Sequence, residues 1–120
     1  MSFEENCEKC PVTTSIIENI LPRHYEHAFF SAVTPGTHFV QHNGPTNKKL
    51  RIHLPMIGLE GSRLRVANDI RGFEEGKAAI FDDSFNHEAW HDGESARITL
   101  IMDIWHPDLT DEEVKFLKLM

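Results

Sequence analysis

No apolar run in this chain is long enough to cross a bilayer as a helix, and no cluster of cations is present to grip a phosphate backbone. Twelve lysines and arginines are scattered among nineteen aspartates and glutamates, for a formal charge of -7, which tells against nucleic acid as a partner. Cysteine is scarce. Cys7 and Cys10 make one CxxC with no second pair, so neither structural zinc nor thiol exchange gains support from them and an unremarkable pair is expected. Also missing are a glycine-rich phosphate loop and a serine in a nucleophile-elbow setting, which removes the usual signs of nucleotide binding and of Ser-His-Asp hydrolysis. The first residues, MSFEENCEKC, are acidic where a signal peptide is basic and then apolar, so a cytoplasmic location is expected. There is no internal repeat, and 120 residues suit one domain, 1–120.

What the chain does contain is short, alternating segments punctuated by turns. Ile16, Ile17, Ile20 and Leu21 recur at helical spacing, with Ser15 and Glu18 in a capping-box relation and Pro22 as the stop, which predicts a helix over 13–21. His27 to Thr34 and Thr37 to Gln41 flank Pro35-Gly36 and predict a hairpin. Strands are expected at Lys49 to Pro55, Arg63 to Asn68, Ile70 to Phe73, Lys77 to Phe81, Phe85 to His91 and Ala96 to His106. Thr110 and Glu113 form a second capping box ahead of a final short helix, VKFLKLM. About eight short strands with a small helix at each end predict an all-β sandwich or jelly roll, because nothing between the strands is long enough for crossover helices.

The period of two sorts the side chains. In LRIHLP, Leu50, Ile52 and Leu54 share one face while Arg51 and His53 share the other. In the last strand Ile98, Leu100, Met102 and Ile104 oppose Arg97, Thr99, Ile101, Asp103 and Trp105. Arg97 is therefore a cation among mostly apolar neighbours and needs an anion, whereas Arg51 is expected to pair with one of the many acids. Arg51, His53 and Arg97 form a candidate anion site, to which Ser31 can add a hydroxyl. Phe29, Phe30, Phe81, Phe85 and Trp90 read as core.

His42 and His87, each at a strand edge beside small or acidic turn residues, are candidate metal ligands, with Asp82 and Asp83 nearby. Both also fit ordinary hydrogen-bonded histidines. Gly44 falls where an HxD pattern would supply the carboxylate of an iron triad, and glycine cannot, so the residues by themselves argue against iron. An aspartate introduced at 44 is expected to reach the metal and tighten its binding.

Three stretches resemble one known family. HNGPTNKKLRIHL is similar to the HxGPTN..LR.HL motif of the aspartyl/asparaginyl β-hydroxylases, EEGKAAIFDDSFNHEAWHDG to their EGK..IFDDSFEHEVW motif, and ARITLIMDIWHPDLT to a terminal strand ending in D.WHP.L. The resemblance is clear over about 31–110. It implies a double-stranded β-helix, cupin-like, in an iron(II)- and 2-oxoglutarate-dependent dioxygenase that couples O₂ and oxidative decarboxylation of the cosubstrate to hydroxylation of an unactivated carbon. By the same resemblance His42 and His87 are the metal ligands and the catalytic pair, and glycine at the position of Gly44 is a family trait. Arg97 pairs with the distal carboxylate of 2-oxoglutarate, and Arg51, His53, Ser31 and Val33 line the cosubstrate site; Asp83 is expected, as a hypothesis of its own, to hold a metal-bound water from the outer shell, partly replacing the absent carboxylate.

Two departures mark this chain: Phe73 replaces a usual tryptophan, and the segment before His27 is short, so substrate-recognition elements are expected to be reduced. The substrate implied is an aspartyl or asparaginyl residue of a peptide or protein. A lipid acyl chain or another small molecule hydroxylated by the same chemistry is the alternative, as is a truncated barrel that binds metal or carboxylate without turnover.

Overall fold

The computed structural model describes residues 4–20, 25–44 and 46–118, with the side chains of Glu4, Asn6, Ile20, Tyr25, Glu26 and His42 left out. Two helices, α1 (Glu4–Lys9) and α2 (Pro11–Ile20), precede eight strands: β1 (Tyr25–Val33), β2 (Thr37–His42), β3 (Lys49–Ile57), β4 (Ser62–Val66), β5 (Asp69–Gly72), β6 (Ala79–Phe81), β7 (His87–His91) and β8 (Arg97–Trp105). Helix α3 (Asp111–Lys118) follows. The strands make two antiparallel sheets, in the orders β1-β8-β3-β6 and β2-β7-β4-β5. That interleaving is the double-stranded β-helix the sequence led us to expect.

Strands β1 and β2 do not form the predicted hairpin, because β1 pairs with β8 and β2 with β7. Pro35-Gly36 instead carries the chain from one sheet to the other, with Gly36 at φ 82 and its N–H donating to the His91 carbonyl. A turn dipeptide specifies a reversal and not the partner of the next strand. At this end of the barrel the β3–β4 and β7–β8 turns pack backbone to backbone. Gly58, at φ 70, lies where a Cβ would run into the Ala96 carbonyl, and the Asp92 N–H donates to the Gly61 carbonyl at 2.8 Å.

The largest cluster of buried apolar residues lies on the outer face of the first sheet. Ile52 of β3 and Leu100 and Met102 of β8 face outward and are covered by Ile17 of α2, with Leu54 and Ile104 packed beside them. Helix α2 begins at Pro11, whose fixed φ suits a first helical position. Ser15 lies inside this helix and accepts a hydrogen bond from Asn19, so the Ser15/Glu18 capping box does not form. Helix α1 was not anticipated, and Leu21 and Pro22 lie outside the described residues. The second capping box does form: Glu113 N–H donates to Thr110 Oγ1 at 3.1 Å, and Thr110 N–H to Glu113 Oε1 at 3.0 Å. No helix among the described residues is long and apolar enough to cross a membrane.

Candidate functional site

The inner face of the first sheet collects the residues singled out for an anion. Residues directly opposite on paired strands share a face. Val33 is opposite Arg97, and Ser31 opposite Thr99, across β1 and β8. Arg51 is opposite Asp103, and His53 opposite Ile101, across β3 and β8. Arg97, Thr99 and Asp103 are 3%, 1% and 7% exposed, as buried as the outer core.

Arg97 lies at the end closed by the glycine-containing turns. Its Nη1 donates to Ser62 Oγ at 2.7 Å across the barrel, and its guanidinium carbon lies 5.1 Å from the Phe73 ring centre. Its Nε is buried and finds no hydrogen-bond partner among the described residues; the same holds for Thr99 Oγ1 and His53 Nδ1. An unmet buried polar group costs about 1–3 kcal/mol. Arg97 Nε, with Thr99 Oγ1 and His53 Nδ1 on the same inner face, gives a buried polar set suited to a carboxylate-bearing ligand. Burial lowers the Arg97 pKa from its usual value, yet the shift leaves the guanidinium charged at neutral pH.

A line of rings runs from this cation toward the other end of the barrel. His53 lies 6.1 Å from Phe73 and 5.1 Å from Phe81, and Phe81 lies 5.8 Å from His87, centre to centre. Burial first, then the charges of Arg97 and Arg51, hold the His53 pKa down at about 4, so His53 is neutral at physiological pH. His87 also contributes to that depression, which agrees with His53 lying between Arg97 and His87.

His87 begins β7, opposite His42 of β2 on one side and Val66 of β4 on the other. Its Nδ1 bonds to the Phe85 carbonyl at 2.9 Å. A carbonyl only accepts, so Nδ1 carries the proton and the neutral ring keeps its lone pair on Nε2. That is how metal-binding histidines are commonly oriented. The backbone register brings His42 and His87 together, while the His42 side chain lies outside the described residues. Among the described residues no three of histidine, cysteine, aspartate and glutamate cluster as a metal site.

Gly44 packs against Asp83. A Cβ at Gly44 would lie 2.6 Å from Asp83 Cγ and 2.7 Å from Oδ1, and Gly44 N–H donates to the Asp83 carbonyl. The expectation that Gly44→Asp reaches the metal is therefore corrected: the space beside residue 44 already holds the carboxylate of Asp83. Arg51 is gripped by Asp103 through both oxygens, Nε to Oδ1 at 2.9 Å and Nη2 to Oδ2 at 3.0 Å, as the abundance of acids suggested. Hydrogen bonding to Asp103 raises the Arg51 pKa, and Asp83 adds to this from a distance.

His87 and Arg97 come from opposing sheets, on β7 and β8. One expectation shifts. Phe29, Phe30 and Phe85 are 43%, 47% and 57% exposed, so they are not core. Thr99, Asp103 and Ser62 were not singled out as site residues. The first two share Arg97's face by simple alternation and were legible; Ser62 sits on the other sheet and had no local signal.

The aspartyl/asparaginyl beta-hydroxylase family profile matches residues 1–107. The chain belongs to this family. It is 42% identical over 118 residues to the mouse aspartyl/asparaginyl beta-hydroxylase, covering 95% of this chain and 16% of that protein. It is 34% identical over 115 residues to the human aspartate beta-hydroxylase domain-containing protein 2, covering 90% and 31%. It is 38% identical over 107 residues to the ornithine lipid ester-linked acyl 2-hydroxylase of Rhizobium tropici, covering 87% and 37%. The chain thus spans about a sixth to a third of the length of these relatives. Among solved structures, a predicted oxalate decarboxylase from Thermotoga maritima matches with a TM-score of 0.58 at 13% identity, over 75% of this chain and 74% of that one. A Cupin 2 conserved barrel domain protein from Salinispora arenicola matches at 0.52 and 16%, over 74% and 70%. These two establish the cupin-like fold alone. The β-hydroxylase family is one of iron(II)- and 2-oxoglutarate-dependent hydroxylases.

Proposed function

We propose that this β-hydroxylase-family chain is itself an iron(II)- and 2-oxoglutarate-dependent hydroxylase, with His42 and His87 holding the metal. The observation that carries this reading is the buried Arg97, whose Nε has no partner among the described residues, at one end of a ring-lined interior with His87 toward the other. The residues fit the groups. An arginine fork donates to the distal carboxylate of a dicarboxylate, with Thr99, Ser31 and Val33 on the adjoining wall. Neutral His53 contacts the ligand by hydrogen bonding and packing without adding charge. Phe73 and Phe81 keep water from the space between the carboxylate site and the metal.

The Arg51–Asp103 pair contributes no net charge to the wall, so Arg51 lines the site as half of a fixed pair. Asp83, packed on Gly44, takes the place a carboxylate on residue 44 would have had and would accept a hydrogen bond from a water bound there when the metal is in place. When bound, the metal and cosubstrate supply O₂ activation and hydroxylation of an unactivated carbon, and the protein supplies position and a dry interior.

The substrate follows one of two lines, a peptidyl aspartate or asparagine as the names of the mammalian relatives indicate, or an acyl chain as in the Rhizobium relative. The test is succinate release from 2-oxoglutarate with iron(II) and ascorbate, with an aspartate-containing peptide or an acyl-chain substrate added. Stimulation by either supports the enzyme and names the class. Tight 2-oxoglutarate binding with no succinate under any condition would leave a non-catalytic barrel.

A further inference from the structure

Ser62 stands in the sheet opposite Arg97 and is 3% exposed. Its hydroxyl is 3.3 Å from the Trp90 carbonyl and 2.7 Å from Arg97 Nη1. A carbonyl can only accept and a guanidinium can only donate, so both roles of the hydroxyl are fixed: its proton goes to Trp90 and its lone pair receives Arg97. The backbone on either side is equally fixed. Ser62 is opposite His91 across β4 and β7, and its N–H donates to the Leu59 carbonyl at 3.1 Å.

A guanidinium on a long side chain can present more than one pair of donors to a carboxylate. Here one terminal nitrogen is held by Ser62, a ring lies 5.1 Å from the guanidinium carbon, and Nε is a buried donor without a partner among the described residues. We infer that Ser62 is a positioning residue that selects which edge of Arg97 faces the ligand, and thereby how far along the barrel a dicarboxylate's distal group is held. This inference rests on the assignment of Arg97 to that carboxylate. It makes cosubstrate length selection depend on a residue of the second sheet that never touches the ligand.

The test is equilibrium dialysis of 2-oxoglutarate and of 2-oxoadipate, one methylene longer, against the full chain loaded with manganese(II) in place of iron. Ser62→Ala removes the acceptor, and Ser62→Cys keeps the volume while weakening it. Ser62→Thr keeps the hydroxyl. Ala and Cys are expected to weaken 2-oxoglutarate binding about tenfold to a hundredfold, as loss of one hydrogen bond to a charged group does. They should also narrow the preference for 2-oxoglutarate over 2-oxoadipate, and Thr should retain both properties. An equal loss for both acids would mean that Ser62 only stabilises the fold, and would overturn the inference. So would unchanged affinity in Ala and Cys alongside a large loss in Arg97→Ala, which would leave the carboxylate assignment standing. Unchanged affinity in Arg97→Ala would remove the assignment and the inference together.

Discussion

On the outward face of β8, Leu100 and Met102 are each 7% exposed and meet Ile17 and Ile52; on the inward face of the same strand Arg97, Thr99 and Asp103 are buried at least as deeply. The outward set is apolar and satisfied by contact alone. The inward set mixes buried Ile101 and Trp105 with polar groups that, among the described residues, are only partly satisfied: Asp103 has Arg51, Arg97 bonds to Ser62, and Thr99 Oγ1 has no partner. One strand thus carries the main apolar core on its back and the candidate site on its front. Much of the hydrophobic stabilisation comes from the outer face, which lets the inner face hold polar groups beside Val33, Ile101 and Trp105.

This division can be broken from either side. The largest effect belongs to the front: His87→Ala and His42→Ala are each expected to abolish iron-dependent 2-oxoglutarate turnover while the far-ultraviolet circular dichroism stays that of wild type. Full turnover by either variant at saturating iron would remove the two-histidine assignment. On the back, Leu100→Ala should cost roughly 2–5 kcal/mol of stability in urea unfolding, as buried leucine truncations do, and leave 2-oxoglutarate affinity intact at temperatures where the protein is folded. Loss of affinity without loss of stability would show that the two faces are not separable.

A third expectation uses acid. His53 has a pKa of about 4 in the fold against 6.5 for an ordinary histidine, so below 6.5 the unfolded chain takes up a proton that the folded one refuses. The stability tied to neutral His53 is complete above pH 6.5 and falls as pH drops toward 4, by roughly 3 kcal/mol over the whole window. Urea midpoints measured between pH 7.5 and 4.5 should decline more steeply in wild type than in His53→Gln. Parallel declines would mean that the interior around His53 is wetter than its burial indicates. The smallest effect is at the periphery, where Thr110→Ala should cost about 1 kcal/mol through loss of the capping box, with no change in ligand binding.

Much of this division was legible in the sequence because alternation is local. Residues 97–105 announce two faces of different chemistry, and LRIHLP does the same for Arg51 and His53. The eight strands were countable from their turns. What alternation cannot report is which strand lies beside which, so Pro35-Gly36 suggested a hairpin where the chain changes sheets. Contacts that cross the barrel, such as Ser62 to Arg97 and Asp83 on Gly44, depend on that pairing and leave no mark in the sequence near either partner. The missing carboxylate at Gly44 argued against metal from the residues alone, and only the family resemblance reversed it. Packing then shows that Asp83, thirty-nine positions later in number, fills the vacated direction.

The claim that the interior of the barrel is a dicarboxylate site built on Arg97 is tested most directly by calorimetric titration of 2-oxoglutarate into the manganese(II)-loaded protein and its Arg97→Ala variant. Losing the partner of a buried carboxylate typically costs on the order of 2–5 kcal/mol, more than tenfold in affinity at ~1.4 kcal/mol per decade. The account predicts a loss of at least that size in Arg97→Ala, a smaller one in Arg97→Lys, and nearly unchanged manganese binding in the absence of 2-oxoglutarate. Equal 2-oxoglutarate affinity in wild type and Arg97→Ala would contradict it and place the anion site elsewhere.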